Sequence, residues 1–145
     1  MTVGRRFDAS TLGPVPANVR VEPWIDQARV LDHADLVVCH GGSGTTLAAL
    51  AAGVPLVIVP LFADQFENAR RIAAARAGRV VESQIRTGGT RSINAAAAPE
   101  ITRSIEDVLG DVTYRDRTRA IAAEMTATPT VEEVLTRLPS GRRVN

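Results

Sequence analysis

Leu36-Val37-Val38-Cys39 and Leu56-Val57-Ile58-Val59 are two unbroken apolar runs, each too short for a typical helix. Strands buried on both faces of a parallel sheet have this appearance. Between them, His40-Gly41-Gly42-Ser43-Gly44-Thr45-Thr46 opens a small-residue stretch that reads as a helix from Ser43 to Ala52, with Gly53 at its end. A second helix is expected from Asp64, as its cap, to about Ala77, with Gly78 as its stop. Arg79-Val80-Val81 then reads as a third strand. Strand, helix, strand, helix, strand with short links is a βαβ pattern, so the expected class is α/β, a Rossmann-like parallel sheet with flanking helices. Ligands of such sheets collect at the carboxyl ends of the strands. His40-Gly41-Gly42 and the segment from Leu61 to Gln65 both fall there.

The rest of the chain is less marked. Val19–Val21 reads as a short extended piece, and Asp26 as the cap of a short helix to about His33. From Glu82 to Ala98 the pattern fades, and residues 86–91, with Gly88-Gly89, read as an exposed loop. Pro99 suits the first turn of a helix that Gly110 ends. Tyr114–Thr126 carries Ile121, Ala122 and Met125 at helical spacing, and a last helix fits Val131–Leu138. Residues 139–145 are expected to form a flexible tail, leaving 1–138 as one domain. With 45% apolar but only 3% aromatic residues, the core must be built from Ala, Val, Leu and Ile. A net charge of +1 argues against a nucleic-acid stripe or a membrane-surface patch. No apolar run is long enough to span a bilayer, and Met1–Arg6 lacks the apolar stretch of a signal peptide. Cys39 is the only cysteine, which rules out an intramolecular disulfide, and a cytoplasmic protein is expected.

The chemistry concentrates between Trp24 and Gln65. Gly41, Gly42 and Gly44 remove side chains where a strand becomes a helix, so backbone N–H groups can approach a ligand. The helix opening at Ser43 presents unpaired N–H groups and the positive end of its dipole, which suits a diphosphate. Ser43 and Thr45 add hydroxyl donors. His40 stands where it can donate to a phosphate oxygen and stabilise a departing diphosphate. A Gly-rich turn alone serves tight packing equally well. Trp24 is the sole tryptophan, and a lone tryptophan is commonly a core residue; beside Asp26 and Gln27 it also suits a stacking plate for a base. Asp64-Gln65 reads as a helix cap and its neighbour, or as a carboxylate and an amide that hold sugar hydroxyls. His33 ranks below His40 as a ligand-binding group, since it can simply cap or pack the short helix.

Taken together, the run resembles the donor signature of GT-B glycosyltransferases of the UDP-glucuronosyl/UDP-glucosyl type, and in particular the bacterial enzymes that glycosylate macrolides and other natural products. The match covers Trp24, Gln27, Leu31 and His33, then His40, Gly42 and Thr45, then Gly53-Val54-Pro55, Pro60 and Asp64-Gln65, in register without a gap. Looser similarity continues to about Leu138. The resemblance implies the C-terminal, donor-binding half of a GT-B fold. Trp24 would stack on a pyrimidine with Gln27 near the ribose. His40, Gly41, Gly42, Ser43, Gly44 and Thr45 would bind the nucleotide diphosphate, and Asp64 and Gln65 the sugar. A hexose would pass to an acceptor hydroxyl with inversion, with no cofactor and no metal.

Two departures from the family pattern matter. Many members have a Glu eight residues after the His, on the ribose hydroxyls; here that position is Ala48, so a dTDP-sugar is expected over a UDP-sugar. The family also keeps its catalytic base, usually a histidine, in an N-terminal half, whereas His33 and His40 are the only histidines here and both belong to the donor motif. The donor half usually starts with one more strand and helix. The chain is therefore expected to need an N-terminal acceptor domain or a partner chain, or completion within a homo-oligomer, and to bind donor without transferring it alone. The alternatives are a donor subunit of a two-chain transferase, a non-catalytic nucleotide-binding remnant, and a relative of the peptidoglycan GlcNAc transferase, which Asp64-Gln65 and Trp24 fit less well.

Overall fold

The computed structural model describes residues 1–82, 85–87, 90–93 and 95–137. The chain divides into two compact units, Met1–Ala34 and Asp35–Asn145.

The second unit carries the sheet. Strands β1 (Val37–Cys39), β2 (Leu56–Ile58) and β3 (Gly78–Val80) run parallel in the order β1-β2-β3. Val37 pairs with Leu56 and Leu56 with Gly78. Helices α2 (Ser43–Ala51) and α3 (Gln65–Ala74) form the crossovers, so the expected α/β class is the observed one. The two apolar runs behave differently. All of β2 is buried, as its run suggests, but Val38 in β1 is 48% exposed. β1 pairs only with β2 among the described residues, and the face that carries Val38 is not covered as in a doubly buried strand. The core is aliphatic, centred on Val57, Val59, Val81 and Val108, with Leu36, Ile101, Ile105 and Tyr114 packed against it.

Helix ends explain the other differences. After α2, Gly53 takes a positive φ of 69°, its N–H bonds Leu50 O, and the Val54 N–H bonds Ala49 O. That is a glycine-closed Schellman end. After α3 the same bonds run from Arg76 to Ala73 and from Ala77 to Ile72, but the positive-φ position is Arg76, at 53°. The helix therefore stops before Ala77, and Gly78 is not its stop. Gly78 opens β3, where an added Cβ would lie 2.0 Å from Leu56 O, so strand approach is what requires glycine there. Asp64 occupies the N-cap position of α3, yet its side chain makes no capping bond; it points to another partner, described below.

The segment read as an exposed loop is partly strand: β4 (Ile85–Thr87) pairs antiparallel with β5 (Thr90–Ser92). Gly88-Gly89, Leu138 and the tail lie outside the described residues. Helix α4 (Ala98–Gly110) has Pro99 in its first turn and packs on β2 and β3, while α5 (Val112–Ala127) packs on α2. The Thr118 hydroxyl on α5 is fully buried and donates to Gly53 O at 2.8 Å, tying α5 to the end of α2. Helix α6 spans Val131–Arg137.

In the first unit, Asp26 is the N-cap of α1 (Gln27–Leu31) but makes no side-chain cap bond. The extended piece at Val19–Val21 ends in a single parallel bridge, Thr2 to Glu22. No helix among the described residues is long and apolar enough to cross a membrane.

Candidate functional site

The β1–α2 turn is shaped by its neighbours. Gly41 is buried with φ of 86°, and a Cβ there would meet Ile58 Cγ2 at 2.7 Å and Gln65 O at 3.3 Å. Both backbone conformation and space demand glycine. A Cβ on Gly42 would meet His40 Nε2 at 2.7 Å, so the imidazole lies against the N-cap of α2. Gly42 makes no side-chain cap bond and the first turn of α2 holds no acidic residue, so the helix enters with no anionic side chain of its own. At Gly44 a Cβ would meet nothing within 4 Å. Packing accounts for Gly41 and Gly42 but not for Gly44. A first turn with no acidic residue of its own and open space at Gly44 suits a close-approaching anion.

The end of α3 meets this turn. Ser43 Oγ donates to Asp64 Oδ2 at 2.8 Å, across 21 residues of sequence. Asn68 Nδ2 donates to Gly41 O at 2.9 Å and lies 3.2 Å from both Ser43 Oγ and Asp64 Oδ2. The Ser43 hydroxyl bond, more than any other neighbour, holds the Asp64 carboxyl below its ordinary value, helped by Asn68 and the charge of His40. Ser43 thus spends its proton on Asp64 in this arrangement, leaving Thr45, half-buried in the same turn, as the hydroxyl not engaged with Asp64. Gln65 is only 3% exposed. Its Oε1 accepts from Leu61 N at 2.9 Å and Phe62 N at 3.1 Å, so the oxygen end fixes the β2–α3 loop and is not available to a further partner. Burial pushes the Cys39 thiol up, which suits an inert packing residue.

His40, Gly41, Gly42, Ser43 and Asp64 therefore stand together, with Gly44 and Thr45 in the same turn. Asn68 joins them and was missed in the sequence. Its signal was an asparagine inside a helix, where the residue is a weak former, four positions after Asp64 and so on the same face. Thr46, buried in the first turn of α2, has a hydroxyl without a hydrogen-bond partner among the described residues.

Trp24, Gln27 and His33 belong to the first unit. Trp24 is 59% exposed, so it is not the core residue a lone tryptophan commonly is. The Arg5 guanidinium lies 5.3 Å from its ring centroid. Within this unit a cavity of about 720 Å³ is lined by Trp24 and His33 together with Arg20, Glu22, Asp26 and Arg29. Gln27 begins α1 and is not part of that lining. Among the described residues no group of three or more His, Cys, Asp or Glu could hold a metal ion.

Known proteins resemble this chain in sequence and fold. The chain is 37% identical over 131 residues to the elloramycin glycosyltransferase ElmGT of Streptomyces olivaceus, covering 90% of this chain and 30% of that protein. Its fold superposes on the spinosyn rhamnosyltransferase SpnG with a TM-score of 0.75 at 30% identity, over 94% of this chain and 34% of the other. The same enzyme complexed with thymidine diphosphate gives a TM-score of 0.72 at 31% identity, over 89% of this chain and 32% of that one. The chain thus spans about a third of these relatives and matches the C-terminal half of the GT-B fold. The family model described as "Erythromycin biosynthesis protein CIII-like, C-terminal domain" covers residues 6–140, and the chain belongs to that glycosyltransferase family.

Proposed function

We propose that this chain is the donor-binding part of a glycosyltransferase that uses a nucleoside-diphosphate sugar, with a dTDP-sugar as the preferred donor. The observation that carries the reading is the start of α2: an uncapped helix end with His40 folded over it and open space at Gly44. The unpaired N–H groups and helix dipole there would take the diphosphate, and His40 would stabilise the charge that develops as the sugar–phosphate bond breaks. No metal is needed in this scheme, because the helix end and His40 meet that charge. Asp64, held as a carboxylate, and the Gln65 NH2 group would accept from and donate to sugar hydroxyls. Trp24, exposed and facing a cavity in its own unit, would stack on the base.

The preference for dTDP rests on Ala48, a residue with no group to bind a ribose 2′-hydroxyl. A similar structure bound to thymidine diphosphate supports it. The sugar would pass with inversion to a hydroxyl of a small natural product. Since His33 and His40 both belong to the donor motif, the base and the acceptor contacts would come from a further domain or a partner chain, and this chain alone would bind donor without transferring it.

Calorimetric titration of the chain with dTDP and with UDP tests this. The expected result is binding of dTDP at least as tight as UDP. Tighter UDP binding would overturn the donor preference, and binding of neither would overturn the donor-site reading.

A further inference from the structure

We propose that Asn68 is the positioning residue of the donor site, a single amide that locks the glycine turn, the Ser43 hydroxyl and the Asp64 carboxylate into one arrangement. The inference rests on the donor-site reading above and extends it to a residue outside the matched motif.

The chemistry of the contacts fixes how the amide is turned. Asn68 Nδ2 stands 2.9 Å from Gly41 O and 3.2 Å from Asp64 Oδ2. A carbonyl and a carboxylate only accept, so the group facing them must be the NH2 and not the amide oxygen. Ser43 Oγ, also at 3.2 Å, has already given its proton to Asp64, so it too accepts. One amide hydrogen serves Gly41 O, and the other is shared between Ser43 Oγ and Asp64 Oδ2.

This geometry links parts that the chain itself keeps apart. Gly41 sets the path into α2, Ser43 is the first residue of that helix, and Asp64 is the N-cap of α3. Asn68 lies one turn along α3, half-buried, and is the only residue bonded to all three among the described residues. Its grip gives the two ends of the donor a shared support. Gly41 and Ser43 belong to the diphosphate end and Asp64 to the sugar end. When a sugar hydroxyl takes the place of Ser43 on Asp64, Asn68 still holds the carboxylate, and the Ser43 hydroxyl is released to turn toward phosphate. A bare nucleoside diphosphate reaches only the first end. Loss of Asn68 must therefore weaken a nucleotide sugar more than the nucleotide alone.

The test compares the wild-type chain with Asn68→Ala, the isosteric Asn68→Asp, and Ser43→Ala, each titrated with dTDP and dTDP-glucose after a thermal unfolding scan. Asn68→Ala should weaken dTDP-glucose by about tenfold or more, as for a lost bond to a charged acceptor. It should weaken dTDP by a clearly smaller factor. Asn68→Asp should be worse than Asn68→Ala for both, because it turns a carboxylate toward a carbonyl and another carboxylate. A packing role alone predicts the opposite order, since Asp keeps the shape. If Asn68→Asp unfolds, the Asn68→Ala split between the two ligands decides. Wild-type binding with equal losses for both ligands, or with none, would overturn the proposal and leave the donor reading standing. Failure of the wild type to bind either ligand would remove the donor reading and this inference with it. Ser43→Ala should lower both affinities less than Asn68→Ala, since Asn68 still holds Asp64; a larger loss would make Ser43, and not Asn68, the organiser.

Discussion

The turn from His40 to Thr45 is held from several sides, whereas the ring of Trp24 stands largely in solvent. Ile58 and Gln65 press on Gly41, His40 lies over Gly42, and Ser43, Asp64 and Asn68 form a closed set of hydrogen bonds. Among the described residues, the Arg5 guanidinium lies over the Trp24 ring, a contact worth about 0.5–1 kcal/mol at an exposed position. The first region is preorganised by the same contacts that hold the fold, and the second is an open plate. Substitution at the packed Gly41 should therefore damage stability and binding together, while substitution at Trp24 should damage binding far more than stability.

The largest effect is expected at Gly41. Gly41→Ala combines a positive φ with a 2.7 Å clash on Ile58. It should cost about 2–5 kcal/mol in urea unfolding. An Ala variant as stable as wild type would break the contrast. Trp24→Ala comes next. Its unfolding free energy should fall by no more than about 1 kcal/mol, the worth of the Arg5 contact at an exposed side chain. Its dTDP affinity should fall by about tenfold, as for a lost stacking partner. A large loss of stability would show that the ring is structural after all.

The third effect depends on pH. Asp64 has a folded-state value depressed below 3.8, first by the Ser43 hydroxyl bond. A depressed carboxylate contributes stability that is fully present above its unfolded value and is lost as pH falls through the folded one. The stability difference between wild type and Asp64→Asn should thus be constant near neutrality and shrink below about pH 4. A difference unchanged down to the acid limit would mean that the carboxylate charge is irrelevant to the network. The smallest effect is expected at Glu67, whose carboxyl is drawn down to about 2 by hydrogen bonds from Arg70 and then Arg71. All three side chains are exposed, so solvent screens them and Glu67→Gln should leave thermal unfolding and dTDP binding unchanged within error.

The fold was legible where local pattern and tertiary role agree. Leu56–Val59 reads as a buried strand because it is the central one, and Gly53 reads as a helix end because it takes the left-handed position. Reading failed where tertiary contact overrode local preference. Arg76, not Gly78, takes the left-handed position after α3, because Gly78 is reserved for the approach to Leu56 O. The β4–β5 hairpin was hidden by its polar strands, although a Gly-Gly pair between two extended segments is a hairpin signal. At the site, the motif residues from His40 to Gln65 were visible as a spacing. Asn68 was not, because its role depends on three partners drawn from two other points in the chain. Nor could spacing show that the Gln65 oxygen is engaged by its own loop.

The central claim is that the bare start of α2 is an anion site and not merely a tight turn. Gly44→Ala tests it most directly, by thermal unfolding and dTDP calorimetry on the same sample. A methyl at Gly44 meets no atom within 4 Å beyond its chain neighbours and its own helix backbone, so the variant should be as stable as wild type, or more stable by up to about 1 kcal/mol from helix propensity. It should nevertheless lose dTDP affinity by about tenfold or more, because the methyl fills the space a diphosphate would occupy. Unchanged stability with unchanged dTDP affinity would contradict the claim.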